Sequence, residues 1–75
     1  TGKAKLILEN PIPGTTELII SDINGREQIK GVYQVRSKNK EVLDIDVTNL
    51  KAGIYILSVR MQKTTRLFRM VKLGQ

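Results

Sequence analysis

Apolar and polar side chains alternate along most of this chain, and turn-forming residues break the alternation at short intervals. A period of two is the pattern of a strand with one buried face, and it leaves almost no room for helix. Leu43, Ile45 and Val47 point one way while Asp44 and Asp46 point the other. Tyr55, Leu57, Val59 and Met61 share a face opposite Ser58 and Arg60. Strands are expected over Ala4 to Glu9, Glu17 to Asp22, Arg26 to Arg36, Val42 to Val47, Ile54 to Met61 and Thr65 to Leu73.

The breaks are specific. Asn10-Pro11-Ile12-Pro13-Gly14 cannot continue a ladder. Asn24-Gly25 is a hairpin signal, because both residues tolerate positive φ. Gly31 marks an expected bulge or bend in the return strand. Ser37 to Lys40 and Gln62-Lys63-Thr64 are polar turns, and Thr48 to Gly53 is a tight connection with Leu50 in its middle. Many short strands separated by such turns predict an all-β sandwich, Ig-like in size, of about seven short antiparallel strands. Apolar residues lie on both faces of the last strand, Leu67 and Val71 on one and Phe68 and Met70 on the other. Such a strand is covered on both sides or meets a partner.

Seventy-five residues make one domain, 1–75, read as a segment of a larger protein. A chain this short buries only about 60% of the surface its unfolded form exposes. It contains no cysteine, so no disulfide adds to that core, and no histidine, which removes the commonest general base and metal ligand. Ser21, Ser37 and Ser58 have no activating partner in the sequence, so no catalytic residue is assigned. Asp44 and Asp46 are paired carboxylates without a third oxygen-rich cluster or a glycine-containing metal loop; they read as a solvated strand face. No metal or cofactor is expected.

The net charge is +6. Its C-terminal share, Arg60, Lys63, Arg66, Arg69 and Lys72, follows Asp46 with no further acid. Phosphate neutralisation is one use of such charges. However, Tyr33, Tyr55 and Phe68 are the whole aromatic complement, two of them sit on apolar strand faces, and nucleic acid is not expected as a partner. Basic residues on a strand edge also block unwanted pairing.

Four motifs occur in order. Asn10-Pro11 follows the first strand, and Asp22-Ile23-Asn24-Gly25-Arg26 forms a D-x-x-G-basic hairpin. Leu43-Asp44-Ile45-Asp46-Val47-Thr48-Asn49-Leu50 leads into Gly53-Ile54-Tyr55, and Arg66-Leu67-Phe68-Arg69-Met70-Val71-Lys72 closes the set. Together they resemble the C-terminal sorting domain of the type IX secretion system across nearly the whole chain. The resemblance implies a seven-stranded Ig-like sandwich and a non-catalytic secretion signal. Its cargo would pass through the periplasm to the outer-membrane surface or extracellular space of a Gram-negative bacterium. The implied partners are the outer-membrane translocon, its shuttle protein and a sortase-like cysteine peptidase that removes the domain and anchors the cargo. On this reading Asn10, Pro11, Asp22, Gly25, Arg26, Leu43, Asp44, Leu50, Gly53 and Tyr55 hold the fold. Arg66, Leu67, Phe68, Arg69, Met70, Val71 and Lys72 are read by the translocon. An exposed final strand also allows a homodimer by strand exchange. The alternative from a different class is an Ig- or fibronectin-like interaction module retained in an extracellular adhesin or hydrolase.

Overall fold

The computed structural model describes residues 2–73; Thr1, Gly74 and Gln75, included in the expected domain, lie outside the described residues. Six strands run in chain order: β1 (Lys3–Glu9), β2 (Gly14–Asp22), β3 (Glu27–Val35), β4 (Lys40–Asp46), β5 (Gly53–Met61) and β6 (Thr64–Lys72). The described residues therefore hold six strands where about seven were expected. The alternating pattern contains only six uninterrupted runs, and each forms one strand.

The strands make two antiparallel sheets packed face to face, one of order β1-β4 and one of order β3-β2-β5-β6. The chain crosses between sheets at three places, after β1, β3 and β4, while β2–β3 and β5–β6 are hairpins. The non-sequential pairings are β1 with β4, which sets Leu6 opposite Leu43, and β2 with β5, which sets Leu18 opposite Val59 and Ile20 opposite Leu57. The core lies between the sheets. Leu6, Leu8, Leu43, Ile45 and Val47 meet Leu18, Ile20, Tyr55, Leu57, Val59 and Met61 there. Leu50 plugs it from the β4–β5 crossing.

Thr16 is fully buried on the inner face of β2, and its hydroxyl has no hydrogen-bond partner among the described residues. An unpaired buried hydroxyl costs more than an apolar group of the same shape. Thr16→Val keeps the branched shape and should raise stability by about 1 kcal/mol in a denaturant titration. A loss of stability would show that the hydroxyl is satisfied.

The β2–β3 hairpin forms where Asn24-Gly25 signals it, between a strand that ends at Asp22 and one that resumes at Glu27. Asp22 donates its N–H to Arg26 O at 2.9 Å, and Gly25 N–H donates to Asp22 O at 3.0 Å. Gly25 alone in this loop has positive φ, at 85°, so the loop spans Ile23 to Gly25 and the glycine reverses the chain. One local expectation is corrected: Gly31, expected as a bulge or bend, is not a bulge. It pairs in register with Leu18, and the register shift falls between Ile20 and Ser21. A Cβ at Gly31 would approach Tyr33 Cε1 to 3.1 Å, so the missing side chain makes room for the tyrosine ring on the same face.

Candidate functional site

The site is built around β6, an outer strand of the four-stranded sheet that pairs only with β5 among the described residues. Its side chains divide by parity. Arg66, Phe68, Met70 and Lys72 turn inward and are half-buried; Leu67, Arg69 and Val71 turn outward and are exposed. Phe68 and Met70 pack on the core. Of the two apolar faces of β6, one closes the sandwich and the other is exposed, so the strand is not covered on both sides by the domain itself.

The two inward cations hold the chain together at opposite ends of the strand. The Arg66 guanidinium donates to Glu9 O at 2.7 Å and to Asn10 O at 2.8 Å. The Lys72 ammonium donates to Val47 O at 2.6 Å, Leu50 O at 2.6 Å and Thr48 O at 3.2 Å. Where a chain leaves one sheet for the other, its carbonyls lose their ladder partners and need substitutes. A cation meets that need with charge-assisted bonds. Arg66 therefore clasps the β1–β2 crossing and Lys72 the β4–β5 crossing.

The other motif residues support the same two crossings. Asn10 takes φ of 50°, a conformation that asparagine tolerates better than most residues, and its N–H donates to Asn39 O at 2.8 Å. Pro11 is buried directly after it. At the second crossing the Tyr55 hydroxyl donates to Lys51 O at 2.7 Å. Gly53 enters β5 at φ 155°, and Leu50 fills the core below. The spacing from Leu50 through Gly53 to Tyr55 is thus one device: a plug, a backbone turn, and a hydroxyl tied back to the loop.

Asp22 organises the β2–β3 loop. Its Oδ1 accepts from Arg26 N–H and Asn24 N–H, both at 2.9 Å, and its Oδ2 accepts from Arg26 Nε at 3.1 Å. These bonds, the Arg26 N–H foremost, hold its pKa below the ordinary aspartate range. Asp46 is lowered as well, first by the Thr48 hydroxyl at 2.6 Å and then by the Thr48 N–H, with Lys3 and Lys72 adding charge. Asp44 pairs with Lys5 at 3.0 Å. The two carboxylates thus have separate partners within the domain.

Both depressed groups favour the charged form in the folded state. Their contribution is complete above the unfolded pKa, near 4, and is lost as pH falls through the folded values. The melting temperature should hold from pH 7 to about 5 and fall below about pH 4. The double variant Asp22→Asn, Asp46→Asn should show a shallower acid limb. An equally steep limb would contradict the assignment.

The outward face of β6 continues onto β5, where Ile54 and Ile56 are exposed. Ile54 stands opposite Val71, Ile56 opposite Arg69, and Ser58 opposite Leu67. The sequence reading left both isoleucines out of the site. The available signal was their position on the even parity of a strand whose odd parity already filled the core.

No curated protein and no solved structure matches this chain. The family model of the secretion system C-terminal sorting domain matches it over residues 2–72, and the chain belongs to that family of type IX sorting domains.

Proposed function

We propose that β6 is the element by which the outer-membrane translocon and its shuttle protein recognise this domain. Membership of the family makes the chain a type IX C-terminal sorting signal, a non-catalytic domain that engages the secretion machinery. Its cargo is destined for the bacterial cell surface or the extracellular space. The observation that carries the proposal is the position of β6: a nine-residue outer strand, paired on one side only, with an exposed face. Unpaired edge groups can add to a receptor sheet, with side chains of one parity providing selectivity. Basic residues such as Arg69 speed encounter with an acidic surface.

On this reading the rest of the sandwich is a frame that holds β6 in register. Passage proceeds through the periplasm, and a sortase-like cysteine peptidase then cuts upstream of the domain. Deleting Thr65 to Gln75 from a fused reporter should stop export, whereas normal export would refute the proposal. Mass spectrometry of the secreted protein's C-terminus reads the cleavage directly: its absence there supports removal, and its presence supports a retained interaction module.

A further inference from the structure

We infer that the outward face of the β5–β6 hairpin, four aliphatic side chains around Arg69, is the docking surface for one extended strand of a receptor protein, with a carboxylate seated over Arg69 and apolar residues on either side of it. This inference rests on the sorting reading and deepens it by naming the contact residues and the chemistry of the partner.

The parity of β6 carries the first step. Of its cations, Arg66 and Lys72 are engaged with the domain's own carbonyls, so they are satisfied before any partner arrives. Arg69 makes no hydrogen bond or ion pair among the described residues and points to solvent. It is the one β6 cation left available for another chain. Leu67 and Val71 flank it on the same face, 69% and 55% exposed. Ile54 and Ile56 lie alongside on β5, Ile56 directly opposite Arg69.

Scattered exposed aliphatics are ordinary on a protein surface, but a contiguous cluster in register on two neighbouring strands marks an interaction site. The outer edge of β6 adjoins this cluster. A strand added to that edge would alternate its side chains in phase with Leu67, Arg69 and Val71, because strand faces repeat every second residue. An acid opposite Arg69, with apolar residues two positions before and after it, makes a favourable cross-strand pair at each of the three positions. An anionic membrane fits less well. Headgroup binding draws on several cations clustered at one surface; on this face of the hairpin Arg69 stands among the four aliphatics and Arg60 stands apart, opposite Thr65.

The test is export of a reporter carrying this domain in a bacterium with a type IX system, read alongside the melting temperature of each purified domain. Arg69→Glu should lower extracellular reporter about tenfold or more, since it replaces an attraction with like-charge repulsion at an interface. The melting temperature should stay unchanged. Leu67→Ser with Val71→Ser should do the same, and Arg69→Lys should retain most export. Normal export of Arg69→Glu, when deletion of Thr65 to Gln75 blocks export, overturns the inference and leaves the sorting reading standing. Normal export of both overturns both. Sedimentation with phosphatidylglycerol vesicles is the remaining arm. Binding that Arg69→Glu abolishes without any change in export would assign the face to lipid and overturn the inference.

Discussion

Lys72→Met should lower the stability of this domain by about 2–3 kcal/mol, the cost of leaving carbonyls without the charged donor that satisfied them. Three carbonyls converge on the ammonium, those of Val47 and Leu50 at 2.6 Å. Methionine keeps the length of the apolar stem, so packing is largely preserved and the loss reports the charge. At roughly 0.05–0.15 kcal/mol per residue, the whole domain holds only about 4–11 kcal/mol. The melting temperature should therefore drop by about 10–20 °C. Lys72→Arg should fall between the two, because a planar fork cannot place three donors on converging carbonyls as a compact ammonium does. Thermal and urea denaturation give the result; a change below about 0.5 kcal/mol would show that water replaces the lysine at little cost.

Arg66→Met should cost about 2 kcal/mol at the other end of the strand. The guanidinium spans consecutive carbonyls, Glu9 O and Asn10 O, at the residue where the backbone turns to φ 50°. Losing it frees the β1–β2 crossing just before Pro11. Six residues of strand separate the two clasps, about 20 Å. Sites that far apart add independently, so the double variant should lose about the sum, enough to unfold much of the population at 37 °C. A double variant no worse than either single one would mean that the clasps act as one unit. Both changes should also reduce export through loss of fold, which separates them from outward-facing variants that export poorly while melting normally.

Strand positions were legible because one buried face imposes a period of two. Leu43-Asp44-Ile45-Asp46-Val47 predicts its own burial, and the structure buries Leu43, Ile45 and Val47. The ordered motifs carried the family. The local chemistry of glycine was less legible, since one residue type serves several ends. Gly31 is an in-register position that leaves space for Tyr33. The real register shift, between Ile20 and Ser21, lies in an apolar run with no turn residue to announce it. Asn24-Gly25 marked the hairpin correctly, but a sequence does not show that the Asp22 carboxylate would tie the loop together through the Arg26 N–H and Nε.

The division of labour in β6 was hidden for a topological reason. Alternation places Arg66 and Lys72 on the core-facing side, where a charge is unexpected. Their partners, the carbonyls after β1 and after β4, come from crossings far away in sequence. Only the pairing of β1 with β4 and of β2 with β5 brings those crossings to the two ends of β6. Asn10-Pro11, the Leu50 to Tyr55 stretch and the closing lysine were separate marks in the sequence. In the fold, Arg66 and Lys72 join them into one frame.

The central claim is that this domain is a sorting signal, and the most direct measurement is sufficiency. Residues 1–75 are fused to the C-terminus of a periplasmic reporter in a bacterium with a working type IX system, and reporter activity is compared between medium, cell surface and periplasm. The account predicts that the reporter moves to the surface or the medium, and that this requires the secretion system. A reporter that remains in the periplasm, with the domain folded and intact, would contradict it.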